Sequence, residues 1–242
     1  MTDNPRVTTR DGIVDMVLDM PARRNALTRD TARAMLSALD STLSDPETRV
    51  LLIRAEGPSF CSGLDLDDLN GPSAFAEWMP LWTEIHCRLA ESAVPIVIAA
   101  QGAMVNAGAG LAMSADVLLV SDDAFLQVGE IKQGLAAPVC IAWLALRHPQ
   151  AVARQICLLG DRIPADKLLR LSIAAAVHPA SELTDRAREV AGQLARYPAS
   201  GASRTAAALS AAYPTDMRTL LAGIAQAGDM AAPTEFAPAR VR

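Results

Sequence analysis

Three short, almost unbroken apolar runs constrain this chain most: Val50 to Arg54, Pro95 to Gln101 and Val117 to Ser121. Each is too short for a helix and reads as a strand buried on both faces. Between them the apolar residues recur at helical spacing. Thr28 to Leu43 carries Ala32, Met35, Leu36, Leu39 and Leu43, with Thr28 as the N-cap, and a second helical stretch runs from Ser73 to Ser92. An earlier strand, Ile13 to Asp19, stops at Met20-Pro21. Strands that alternate with helices predict parallel pairing and an α/β fold.

From Pro138 the pattern turns helical: Pro138 to Leu146, Ala151 to Leu159, Ala165 to Leu171 and Ser181 to Arg196, broken by a short strand from Ala174 to His178. After Pro198 the composition shifts to Ala and Ser, with helices around Ser200–Ala212 and Thr215–Ala227. The sequence therefore divides into an α/β core over residues 1–197 and a helical region over 198–242. The stretch from Ala231 to Arg242 holds two prolines and is expected to fray.

Composition narrows the class. Hydrophobic residues make up 51% of the 242 and charged residues 20%, which fits a buried core and excludes disorder. With 4% aromatics, that core is built from Ala, Leu, Val, Ile and Met. A net charge of −5 leaves no basic footprint for nucleic acid. Cys61, Cys87, Cys140 and Cys157 are widely spaced and read as thiols rather than a disulfide framework or zinc ligands. Met1 to Gly12 has no apolar core of an export signal, and no apolar stretch reaches bilayer length. A soluble, cytoplasmic protein with no membrane partner is the expectation.

Two strand-to-turn segments carry the chemistry. Gln101 to Asp116 follows the Pro95 strand, is small at Ala107, Gly108, Ala109 and Gly110, and then runs on as a helix. Such a turn lets backbone approach a ligand, and unpaired N–H groups at the helix start favour negative charge. A dinucleotide fingerprint would need a third glycine where Met113 stands. Tight helix–strand packing without a ligand is the other reading. Gly57 to Leu66 follows the Val50 strand in the same way. Brought together by a parallel sheet, the two turns can each aim one N–H at one oxygen, which is an oxyanion hole. Cys61 and Ser62 lie outside any G-x-S-x-G elbow, which argues against a nucleophile there.

Asn25-Ala26-Leu27 after Pro21, Phe60 to Asp65, Pro95 to Gly102, Asp116 and the segment from Phe125 to Pro138 stand in register over roughly residues 10 to 190. In this they resemble the crotonase, or enoyl-CoA hydratase/isomerase, superfamily. The resemblance implies a ββα spiral core with a C-terminal helical oligomerisation region. It implies a bent coenzyme A (CoA) thioester as substrate, with no cofactor beyond that carrier and no metal. The thioester oxygen would be held by the N–H groups of Ser62 and Ala107. Arg23, Arg24 and Ala26, with Gly63, Leu64, Asp65 and Leu66, would border the adenine and phosphates, and Gly108 and Gly110 would line the turn. A homotrimer or a dimer of trimers is implied too.

The departures are informative. Hydratases of this family use two glutamates, and the first falls here on Gly110; the second falls on Glu130, twenty residues on. Hydration needs a group to activate water and a group to place a proton. One base suffices to take a proton from C2 of an enolate and return it at C4. Single-glutamate Δ3,Δ2-enoyl-CoA isomerases work in this way, and Glu130-Ile-Lys-Gln-Gly134-Leu-Ala-Ala-Pro138 resembles their pattern. Isomerase chemistry is therefore expected ahead of hydration, C–C cleavage, decarboxylation or hydrolysis, with a catalytically weak acyl-CoA binder as the non-enzymatic alternative. Burial is expected to raise the pKa of Glu130, although a solvated glutamate paired with Lys132 is the plainer alternative. Gly110 is expected to leave room for a branched acyl group. Asn106-Ala107 stands where glycines are usual, and the C-terminus lacks a Lys/Arg-Pro ending.

Overall fold

The computed structural model describes residues 4–69, 74–213 and 215–227, so the expected helix start at Ser73 and the stretch from Ala231 to Arg242 fall outside it. The first half runs β1 (Arg6–Arg10), β2 (Ile13–Leu18), α1 (Arg29–Ser44), β3 (Val50–Ala55), α2 (Ala74–Ala90), β4 (Ile96–Ala100), β5 (Ala103–Val105) and α3 (Ala107–Met113). It continues with β6 (Val117–Ser121), β7 (Phe125–Gln127), a 3-10 turn (Glu130–Gln133), α4 (Pro138–Arg147), α5 (Gln150–Leu159) and β8 (Ile163–Pro164). Last come α6 (Ala165–Arg170), β9 (Ala176–His178), α7 (Leu183–Ala195), α8 (Ala199–Ala211) and α9 (Met217–Ala227).

The three apolar runs become β3, β4 and β6, side by side at the centre of a six-stranded sheet ordered β1-β2-β3-β4-β6-β9. All its neighbours pair in parallel except β1 with β2. The runs lack alternation because both faces are covered. Leu51, Ile53, Ile96, Ile98, Leu118 and Val120 join the larger core with residues of α1 to α4, including Met35, Trp78 and Trp143. Val50, Leu52, Val97, Ala99 and Leu119 face the other way, onto Leu183, Ala187 and Ala191 of α7. Those three residues are spaced by about one helical turn, and Ala187 and Ala191 are small, so α7 lies close against the sheet.

A smaller sheet, β5-β7-β8, was not anticipated. Its strands have three, three and two residues, too few for any periodicity to show. It matters because β5 leads into α3 and β7 leads toward Glu130. Strand β1 also escaped, since all five of its side chains are exposed. Its signal was the turn instead: Asp11 and Gly12 both have positive φ, 52° and 75°, as a tight hairpin requires. Thr28 does cap α1, its Oγ1 accepting from the Thr31 N–H at 3.1 Å.

In the helical region, α9 packs Met217 and Leu221 into the core beside α2 and α4, whereas α8 buries none of its side chains. All four cysteines are free, three of them buried. Among the described residues no helix is long and apolar enough to cross a membrane.

Candidate active site

Parallel pairing stacks the two turns against each other. Isolated bridges join Cys61 to Met104 and Leu27 to Leu64. Two glycines permit the approach. A Cβ on Gly108 would collide with the Cys61 carbonyl, and one on Gly63 (φ 106°) would sit 3.2 Å from the Val105 carbonyl oxygen.

Register decides which N–H groups are free. Leu27 N–H donates to the Gly63 carbonyl and Asp65 N–H donates to the Leu27 carbonyl, both at 2.9 Å. Positions 63 and 65 thus face Leu27, and the N–H of Leu64 points the opposite way. The expected Ser62 donor is corrected here: its N–H is spent on the Arg24 carbonyl at 3.1 Å. Among the described residues the N–H groups of Leu64 and Ala107 take no acceptor. Ala107 opens α3, where intrahelical partners are lacking.

Glu130 begins the 3-10 turn after β7. The residue is half-buried, but its Oε2 is fully enclosed and has no hydrogen-bond partner. Burial pushes its pKa up to about 7, opposed only by its own backbone N–H. The expected pairing with Lys132 does not form; that ammonium meets Asp161 at 3.2 Å. Around Glu130 lie the thiols of Cys140 on α4 and Cys157 on α5, both raised by burial first and by the Glu130 charge second, Cys157 to about 11. An apolar hollow of about 340 Å³ opens alongside, walled by Val128, Ile131, Leu135, Ile141, Cys157 and Leu158.

The space next to Gly110 is bounded on one side by three side chains. A Cβ there would lie 3.0 Å from Val139 Cγ1, 3.7 Å from Cys140 Sγ and 3.8 Å from His86 Cε1. His86 is wholly buried, accepts from the Trp143 indole N–H at 2.9 Å and stacks edge-on against Trp82. Burial lowers its pKa to about 3, so this imidazole stays neutral. Cys61, whose thiol burial pushes up to about 12, is no nucleophile.

The predicted CoA side divides in the same manner. Asp65 is corrected from a substrate contact to a loop anchor: it pairs with Arg23 and accepts the N–H groups of Asp67 and Asp68 at 3.0 and 3.2 Å. Arg24 is exposed, adopts the left-handed conformation (φ 52°) and makes no ion pair among the described residues. Ala26 is buried, while Leu66 is 43% exposed at the loop edge.

Two asparagines were missed as structural parts. Asn25, fully buried, accepts from the Met20 N–H at 2.8 Å and donates to the carbonyls of Glu56 at 2.9 Å and Ser59 at 2.8 Å. It staples the arginine loop to the turn before Ser62. Asn106 accepts the Gly129 N–H at 2.9 Å through Oδ1 and donates its own N–H to the Gln127 carbonyl at 2.8 Å. For Asn106 the available signal was a polar residue beside a glycine turn, and for Asn25 a polar residue in the Asn-Ala-Leu run after Pro21.

A spiral of parallel strands whose turns converge on free backbone donors, beside a buried carboxylate, is the crotonase fold. The enoyl-CoA hydratase/isomerase family model matches residues 8–232. The chain is 29% identical over 221 residues to the rat mitochondrial enoyl-CoA hydratase domain-containing protein 3, spanning 89% of this chain and 74% of that one. It is 30% identical over 198 residues to a carnitinyl-CoA dehydratase of Proteus mirabilis, spanning 81% and 76% respectively. A Rhodococcus jostii (7aS)-7a-methyl-1,5-dioxo-2,3,5,6,7,7a-hexahydro-1H-indene-carboxyl-CoA hydrolase matches at 29%, over 88% of this chain and 82% of its own. Among solved structures, an enoyl-CoA hydratase of Mycobacterium avium subsp. paratuberculosis superposes with a TM-score of 0.85 at 26% identity, covering 95% of this chain and 94% of that one. This chain belongs to the enoyl-CoA hydratase/isomerase family, and is an acyl-CoA enzyme of that family.

Proposed function

We propose that the protein is a Δ3,Δ2-enoyl-CoA isomerase that works with one base. The thioester oxygen sits between the N–H groups of Leu64 and Ala107, which stabilise the enolate that forms when C2 loses its proton. Glu130 takes that proton and returns it at C4, moving the double bond. The observation that carries this reading is the enclosed, unpartnered Oε2 of Glu130, whose pKa burial pushes up to about 7, in a chain with a glycine at position 110. A group poised near neutrality serves as base and then as acid in one cycle. Gly110 supplies no second carboxylate, and Val139, Cys140 and His86 flank it.

Arg24 is the phosphate-facing cation of this reading, and the reaction needs no cofactor beyond the CoA of the substrate, nor a metal. Assembly as a homotrimer or a dimer of trimers through the C-terminal helices, and a cytoplasmic location, complete it. The second reading is another reaction of the same enolate, hydration or hydrolysis, favoured by the names of the relatives.

The test is incubation with 3-enoyl-CoA and 2-enoyl-CoA in deuterated water, with product and label followed by mass spectrometry. Double-bond movement without hydration supports the isomerase. Hydrated or cleaved product moves the assignment to the second reading. CoA binding with neither turnover nor exchange marks a catalytically weak acyl-CoA binder.

A further inference from the structure

Asn106 holds a backbone conformation, φ 52° and ψ −109°, that favours glycine. Four contacts surround it. Its N–H donates to the Gln127 carbonyl at 2.8 Å, and its carbonyl accepts the Gly110 N–H at 3.0 Å and the Cys140 thiol at 3.5 Å. Its side-chain Oδ1 accepts the Gly129 N–H at 2.9 Å, which fixes the orientation of the amide. Gly129 must be small for this, since a Cβ there would lie 3.3 Å from that same Oδ1.

These contacts join the two halves of the site. Asn106 immediately precedes Ala107, whose N–H is free for an oxygen. Gly129 immediately precedes Glu130. The two segments are 23 residues apart in sequence, and the Asn106 side chain is a direct polar tie between them. A glycine at 106 would accommodate the backbone more easily, yet it would leave the Gly129 N–H without its acceptor.

The geometry points to Asn106 as a positioning residue that sets the distance between the oxygen-holding turn and the Glu130 carboxylate; this rests on the single-base reading above. A base displaced by about 1 Å loses about 100-fold in rate while the distant CoA contacts are untouched. Release of the tie also lets Glu130 relax toward water. Its titration is set by few neighbours: the neutral thiols of Cys140 and Cys157 face it from α4 and α5, and Lys132 is paired with Asp161.

The test is C2 proton exchange of an acyl-CoA in deuterated water, measured against pH for the full chain and for Asn106→Gly and Asn106→Asp. Asn106→Gly is expected to fold, to exchange about 100-fold more slowly at little-changed KM, and to move the pH midpoint down from about 7. Asn106→Asp can still accept the Gly129 N–H, so it is expected to restore much of the rate and, by adding a like charge, to move the midpoint up. Asn106→Gly at a rate within about twofold of the parent and with the parent's midpoint overturns the proposal, since a broken tie should cost far more. Equal losses in both variants with no movement of the midpoint overturn it too. If the parent exchanges nothing, the isomerase reading fails first. The tie is then judged on the Glu130 carboxyl titration by 13C NMR, where an unchanged midpoint in Asn106→Gly is the overturning result.

Discussion

Two carboxylates in this molecule have opposite surroundings: Asp116 is about half exposed and fully partnered, and Glu130 has an enclosed oxygen without a partner. Asp116, at the turn into β6, accepts the Ile96 N–H at 2.9 Å and meets the Arg147 guanidinium at 3.3 Å. Arg147 is itself held, donating to the Met113 carbonyl at 3.1 Å and lying 4.4 Å over the Trp143 ring. Burial raises the Asp116 pKa, and the N–H and the arginine oppose that rise. Glu130 has burial without a partner for Oε2, and nothing beyond its own backbone N–H opposes it. A buried polar atom without a partner costs stability, so a fold retains one where it has a use. Asp116 ties β4 to α4; Glu130, on the proposed reading, is held ready for a proton.

Four substitutions or measurements would break or sharpen this contrast. Glu130→Gln should slow proton exchange and isomerisation by roughly 10³-fold, read by deuterium incorporation; a near-parental rate would end the single-base mechanism. Gly110→Glu adds a carboxylate without an arginine partner, against Val139, Cys140 and His86. It should cost roughly 3 kcal/mol in denaturant unfolding and confer no hydration. A gain of hydratase activity would show that the pocket adapts.

The third concerns pH. A carboxyl whose folded pKa lies above its unfolded value stabilises the fold fully below the unfolded value and loses that contribution as pH rises toward the folded one. For Glu130 the window runs from the ordinary 4.5 to about 7. Parental stability should fall across it by at most about 3 kcal/mol, and Glu130→Gln should flatten that fall. Parallel melting curves of the two proteins would contradict the burial argument. Smallest is Asp116→Ala, expected to lose roughly 1 kcal/mol by removing the acceptor of the Ile96 N–H and one of several partners of Arg147, with proton exchange nearly intact; a collapse of exchange would make Asp116 part of the chemistry.

Much of this was legible in the sequence. Runs that stay apolar on every residue announce strands covered on both sides, and β3, β4 and β6 are those strands. The small-residue turn stood out by composition, and Glu130 by its place twenty residues beyond Gly110 in the resemblance to the crotonase pattern. What could not be read was direction and proximity. Ser62 and Leu64 are two residues apart, so alternation alone does not choose between them; the choice is made by the Arg24 carbonyl, which takes the Ser62 N–H, and by Leu27, which pairs with positions 63 and 65. What flanks Gly110 could not be read because Val139 and His86 come from α4 and α2, far off along the chain. Strand β1 hid because none of its side chains is buried. The asparagine ties were hidden because one polar side chain among small residues suits a cap, a ligand contact or a staple equally well.

The free donors at Leu64 and Ala107 belong to the main chain, and heredity treats the two halves of the site differently for that reason. Nearly every codon at those positions still encodes an N–H; proline alone removes it. An alanine scan would pass over the oxygen-binding half without a signal. The proton-moving half, in contrast, can be lost by a single base change at codon 130. On the proposed reading, a substitution at position 130 therefore changes where a proton is taken and given while leaving the backbone donors in place.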